Sequence, residues 1–173
     1  MAGLPHRIAL QVYRRLPVGL RRRVVRAVSP SFTVGAMCFI ERADGALLLV
    51  RHSYRDRWGV PGGLLERGED AAVGARREVR EEVGLAVVLQ GEPAVVVDAA
   101  PQRVDVIYRA RPAEGVDPES VALASAEIVE ARWFPPDALP ELQFETAGAL
   151  VALARVATGT GQRPLPEPVW PRF

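Results

Sequence analysis

Residues 63–85, GLLERGEDAAVGARREVREEVGL, place Glu78, Glu81 and Glu82 within five positions, directly behind Arg77. On a helix, carboxylates at i, i+3 and i+4 share one side and repel by roughly a few tenths of a kcal/mol per pair, more when shielded from water. Arg77 alone is one charge against three, so the segment needs a further positive partner. One reading is a solvated acidic face balanced by Arg76, Arg77 and Arg80. The other is a hard divalent cation. Mg²⁺ prefers oxygen ligands and keeps several waters, so carboxylates on a rigid helix together with substrate phosphates suit it. Such a site neutralises charge in phosphoryl transfer and acidifies a water that attacks phosphorus.

The carboxylates need an element to hold them, and the spacing predicts a helix from Asp70 to Gly84, where glycine suits the left-handed C-terminal position. Ala72, Ala75, Val79 and Val83 fall on one arc and the glutamates on the arc beside it, which sorts the helix into a core face and an acidic edge. Gly74 inside the helix costs roughly 1 kcal/mol relative to alanine, which points to close backbone packing. Before the helix, SFTVGAMCFIE (31–41) and ALLLVR (46–51), separated by a turn at Asp44-Gly45, read as a β-hairpin or as two neighbouring strands. The Gly-rich loop WGVPGGLLERGE then leads into the helix. AVVLQ, AVVVDAA, RVDVIYRA and EIVEARWF follow as strands, and a second helix is expected over roughly 142–157. Strands on either side of a strong helix, with another helix at the end, predict an α/β domain whose mixed sheet is flanked by helices on both faces.

Composition bounds the rest. A chain of 173 residues with 49% hydrophobic and 25% charged residues fits one globular domain, here expected over 31–160. Cys38 is the single cysteine, in the apolar run VGAMCFI, so it reads as a core thiol in a reducing cytoplasm. No apolar run approaches the roughly 18 residues a transmembrane segment needs, and residues 1–23 lack the apolar core of a secretory signal, so the expected location is cytoplasmic. The net charge is only +1, yet residues 1–40 hold seven arginines and no acid. All 22 basic residues are arginine, which reads as base composition rather than chemistry. Ile8, Val12 and Leu16, then Leu20, Val24 and Val28, recur at helical spacing. Residues 1–30 are thus expected to form a basic amphipathic helical arm broken near Pro17. Its apolar stripe is expected to pack on the domain or on a second subunit, as in a homodimer. Contact of its arginines with nucleic acid or an anionic membrane surface is the less favoured alternative. Residues 161–173 form a Pro-rich tail, expected to be extended.

Gly63, five residues, Glu69, seven residues, then Arg77-Glu78-Val79-x-Glu81-Glu82-x-Gly84-Leu85 matches the Nudix box at every defined position. A chance match in a chain of this length is below about one in a million. The chain therefore resembles the Nudix hydrolases of MutT type, and the wider resemblance runs from Phe32 to Ala157. It implies the family's α/β/α sandwich and a Mg²⁺ or Mn²⁺ cofactor. Glu81 and Glu82 then look like metal ligands, and Glu78 like a further ligand or the base that deprotonates the attacking water. By the same resemblance Arg77 orients Glu78 and pairs with Glu69, and the Gly62 carbonyl completes the metal shell. The family recruits another acid before a later tryptophan-bearing strand. Glu127, six residues before Trp133, fits that place, with Glu130 in reserve.

Outside the box, Arg51, Arg55 and Arg57 are candidates to hold substrate phosphates through the guanidinium fork. His52 reads as a loop residue and Trp58 as closing the core behind the Gly-rich loop. Gln143 falls near where MutT-type enzymes carry a base-reading amide. The resemblance implies a nucleoside diphosphate linked to another group, X, as substrate, whether a nucleotide, ADP-ribose or a nucleotide sugar. Pro101, sixteen residues after Leu85, matches a spacing associated with ADP-ribose pyrophosphatases. Two function classes stay open at this point. One is a metal-dependent pyrophosphohydrolase and the other a non-catalytic Nudix module that binds a nucleotide and regulates. The intact box favours the first.

Overall fold

The computed structural model of the chain describes residues 13–29 and 31–158. Its elements, in chain order, are α1 (Val18–Val28), β1 (Thr33–Ile40), β2 (Leu47–His52), β3 (Gly62–Leu64), α2 (Ala71–Val83), β4 (Val87–Asp98), β5 (Arg103–Pro112), β6 (Ile128–Phe134) and α3 (Phe144–Ala157). The chain divides into two compact units between Phe32 and Thr33.

In the first unit α1 starts directly after Pro17, whose ring fixes a backbone angle suited to a helix start. Arg21 donates from Nε to the Leu16 carbonyl at 2.7 Å and from Nη2 to that of Arg14 at 2.6 Å, tying the helix to the turn before the break. Leu20 and Val24 are exposed on α1. Ile8, Val12, the side chain of Val28 and the tail 161–173 lie outside the described residues.

In the second unit a four-stranded mixed sheet runs β3-β1-β5-β4, with β1 and β5 parallel and the other pairs antiparallel, beside a two-stranded antiparallel ribbon of β2 and β6. Strand β1 is central and has six consecutive buried residues. Its side chains alternate between faces. Cys38 and Ile40 join Leu48, Val50, Val79 and Val83 in the core under α2, while Met37 and Phe39 join Leu49, Ala149 and Leu153 under α3. Burial raises the Cys38 thiol to about 12, the inert core cysteine expected from sequence. Among the described residues no helix is long and apolar enough to cross a membrane.

Three expectations change. The segments at 31–41 and 46–51 do not form a hairpin. The turn between them closes with the Arg42 N–H on the Ala46 carbonyl at 2.8 Å. Both edges of β1, however, are taken by β3 and β5, so β2 leaves to pair with β6. AVVLQ and AVVVDAA are one long strand, β4, whose pairing is irregular between Gln90 and Ala94, with Gly91 at φ 65°. The Gly-rich loop contributes a strand, β3, whose glycines pair with Ala36 and Met37 of β1.

Helix α2 follows its sequence signals. The Asp70 side chain accepts from the N–H groups of Ala72 at 2.9 Å and Val73 at 3.3 Å, capping the start, and Gly84 ends the helix at φ 71°. Ala75, Val79 and Val83 are fully buried, each valine contributing roughly 1.5–3 kcal/mol by leaving water. A methyl group on Gly74 would lie 2.4 Å from Leu65 Cδ2, so the helix presses on the loop before it, as the glycine suggested.

Candidate active site

The acidic edge of α2, the backbone of β3, the end of β2 and the start of α3 enclose a cleft of about 520 Å³. Glu78, Glu82, Gly62, Glu127, Gln143 and Arg55, all singled out in the sequence, line it together with His52, Arg103, Glu145 and Thr146.

One turn of helix separates Glu78 from Glu82, and both turn inward with side chains 14% and 9% exposed. The Gly62 N–H donates to Glu82 Oε2 at 3.2 Å, and His52 Nε2 stands 3.7 Å from Glu82 Oε1. A methyl group on Gly63 would lie 2.5 Å from Glu78 Oε1, and one on Gly62 would lie 2.4 Å from the Ala36 carbonyl oxygen. Only glycine at these two positions lets the Glu78 carboxylate and β1 approach this closely.

Arg77 organises the acids. Its Nε and Nη2 hold Glu69 at 2.8 and 2.9 Å as a fork, and its Nη1 reaches Glu78 at 2.8 Å and Glu81 at 3.0 Å. The hydrogen bonds from Arg77, followed by the Glu66 N–H, lower the Glu69 carboxyl to about 2. Burial is the largest influence on Glu78 and, with Glu82 and Glu81 nearby, pushes its carboxyl above the ordinary value against the pull of Arg77.

The other sequence candidates separate cleanly. Glu81 does not line the cleft. Its side chain is 56% exposed and bends back to Arg77, because it lies about 100° round the helix from Glu82. Glu127 does line the cleft, whereas Glu130, on β6, bonds Arg51 at 2.9 Å and Arg132 at 2.6 Å. Neither Arg51 nor Arg57 lines it. Arg51 faces Glu130 across the β2-β6 ribbon, and Arg57 pairs with Glu141 at 2.7 Å. Gln143 is buried and donates from Nε2 to the Arg57 carbonyl at 3.1 Å. His52, read as a loop residue, ends β2, and its buried Nδ1 has no partner. Trp58 packs edge-on against Phe134 at 4.8 Å, as expected of a residue closing the core.

Sequence reading missed Arg103, Glu145 and Thr146. Arg103 opens β5 and grips the buried Asp105 at 2.8–2.9 Å, while Glu145 meets Arg55 at 3.2 Å. The alternation Arg103-x-Asp105 at a strand start is a weak signal that only the register with β1 converts into a site.

Among the described residues, no three histidine, cysteine, aspartate or glutamate side chains stand close enough to hold an ion as they lie, since Arg77 binds both Glu78 and Glu81. The donor chemistry nonetheless fits a hard divalent cation: two nearly buried carboxylates beside a glycine backbone that leaves room for close approach.

The NUDIX domain profile matches residues 31–154. A MutT-like protein of Streptomyces ambofaciens is 31% identical over 116 residues, covering 67% of this chain and 72% of that protein. An 8-oxo-dGDP phosphatase of Homo sapiens is 32% identical over 129 residues, which are 72% of this chain but 36% of that protein. The chain thus spans little more than a third of the human relative. A crystal structure of a Nudix hydrolase from Nitrosomonas europaea has the same fold, with a TM-score of 0.62 at 24% identity, covering 75% of this chain and 72% of that one. The chain belongs to the Nudix family, and its class is that of hydrolases acting on phosphoric anhydrides.

Proposed function

We propose that this chain is a Mg²⁺- or Mn²⁺-dependent pyrophosphohydrolase that cleaves a nucleoside diphosphate linked to another group. The observation that carries the reading is one cleft that gathers Glu78, Glu82 and Glu127 with Arg55 and Arg103. Acids of this kind suit a divalent cation, and guanidinium groups suit the phosphates it would bridge. Glu82, Glu127 and the Gly62 carbonyl are the groups proposed to hold the cation, with Glu81 joining them once released from Arg77. When bound, the cation supplies charge neutralisation on the phosphate oxygens and a more acidic water.

The chain's own residues supply the rest. Glu78, whose carboxyl is raised by burial, is proposed to take the proton of the attacking water. Arg77 fixes Glu78 in place through its bond at 2.8 Å. Arg55 and Arg103 steady the phosphates while one phosphorus is attacked and the other phosphate departs. Gln143, at the cleft wall, is proposed to meet the nucleobase. The human relative is named for a purine nucleoside diphosphate, so diphosphates of that type are the first substrates to test.

The test is a product-resolved hydrolysis screen with Mg²⁺ and with Mn²⁺. It covers nucleoside di- and triphosphates, their 8-oxo forms, ADP-ribose and nucleotide sugars, with Glu82→Gln as control. Release of a nucleoside monophosphate from one class, abolished in Glu82→Gln at unchanged melting temperature, is the expected result. Silence across the panel, or undiminished turnover in Glu82→Gln, would overturn the reading.

A further inference from the structure

The start of α3 brings together four features that the acid cluster does not explain. Arg55 reaches the Glu145 carboxylate at 3.2 Å, with both side chains nearly half exposed. Arg103 is positioned by Asp105, which is 8% exposed. Gly35 leaves the space for that pair, since a methyl group there would lie 2.5 Å from Asp105 Oδ1. Helix α3 runs 14 residues from Phe144, and Gln143 before it makes no side-chain cap, so its first N–H groups receive nothing from the capping position. Thr146, in that first turn, is 1% exposed, and its Oγ1 has no hydrogen-bond partner. Arg55, Arg103, Glu145 and Thr146 all line the cleft.

Two guanidinium groups, an uncapped helix start and an orphaned hydroxyl are all hydrogen-bond donors, the set that recognises a phosphate oxyanion. The anion beside them in the free chain is the protein's own. Glu145 has its carboxyl held below the usual range first by its own backbone N–H, then by Arg55 and by the field of Arg103. We propose that Arg55, Arg103 and the first turn of α3 form a subsite for a phosphate group of the substrate, and that the Glu145 carboxylate occupies it as an internal stand-in. The assignment of this phosphate to the substrate rests on the hydrolase reading above. An incoming phosphate displaces Glu145, which is exposed enough to turn into solvent, and takes over Arg55. Glu145 thereby sets how strongly negative a group must be to win the subsite, a selectivity device outside the family's acid cluster.

The probe is inorganic phosphate, titrated into the ¹⁵N-labelled full chain in the presence of a chelator and followed by amide shifts. The amides of Glu145 and Thr146 are expected to move along the binding curve. Glu145→Gln, which removes the competing charge, is expected to tighten phosphate binding about tenfold, and Arg55→Gln to weaken it by a similar factor. Glu141→Gln frees Arg57 outside the cleft with the same change in net charge, and it is expected to leave the affinity unaltered. Equal tightening in Glu141→Gln, no tightening in Glu145→Gln, or shifts confined to residues 62–64 would each overturn the proposal. An unchanged amide pattern elsewhere establishes that the variants fold. The readout needs neither cation nor turnover, so failure of the hydrolysis screen leaves this result standing, and failure here leaves the screen's result standing.

Discussion

Gly63→Ala separates the geometry of the acid cluster from the stability of the fold. Gly63 has no left-handed backbone angle, so alanine brings no φ strain. The new methyl group would instead lie 2.5 Å from Glu78 Oε1, 2.6 Å from Cδ and 2.7 Å from Oε2. An ordinary carbon-oxygen contact needs about 3.4 Å, so the carboxylate must retreat by roughly 0.9 Å. Moving the end of a side chain costs the fold little, and the smaller entropy of the unfolded chain returns about 0.4–1 kcal/mol. Catalysis is less forgiving, because a misplacement of about 1 Å in a reacting group is worth some hundredfold in rate, or about 2.7 kcal/mol. The expected outcome is a kcat about a hundredfold lower, KM changed by less than about threefold, and stability within about 1 kcal/mol of the parent. Steady-state kinetics on the substrate found in the screen and chemical denaturation measure both. Gly68→Ala is the control: at φ 83° it strains the backbone but meets no atom within 4 Å, so it should cost about 1 kcal/mol of stability and leave kcat intact. A Gly63→Ala enzyme with parental kcat would refute the placement of Glu78 as a reacting group.

Two further outcomes follow from the same contacts. The Glu69 carboxyl falls from 4.5 to about 2 chiefly through Arg77, so its stabilising share is present in full above the ordinary carboxylate value and is lost as pH drops towards 2. The melting-temperature gap between the parent and Arg77→Gln should therefore be widest near neutrality and narrow between pH 4.5 and about 2; a gap constant with pH would contradict the pairing. Thr146→Val removes a buried hydroxyl that has no partner, so chemical denaturation should show a gain of about 1 kcal/mol, while a loss would mean that Oγ1 is bonded in the free chain.

Helix α2 was legible because its signals are local. Asp70, the valine arc and Gly84 each act within a turn or two of chain, and the structure returns the same limits. The pairing of Arg77 with Glu69 was implied by the family spacing and is found, since eight residues of loop and helix bring the fork to the carboxylate. The arginines were harder. Arg51 and His52 are neighbours in sequence, yet the β2-β6 pairing is irregular between them, and His52 lines the cleft while Arg51 meets Glu130. No reading of residue types decides that division without the strand register.

The order of residues along the chain determined the family, the α2 scaffold, the acidic edge that carries Glu78, Glu81 and Glu82 and the burial of Cys38, because each depends on periodicity or on spacing within one segment. Tertiary structure alone decided that β1 and β2 part into different sheets and that Gly63 passes beneath Glu78. It alone also brought Arg103 and Glu145 to Arg55, from segments separated by tens of residues. Those meetings are set by which strand edge is left for which partner, a competition among distant segments that is settled only when the sheet closes.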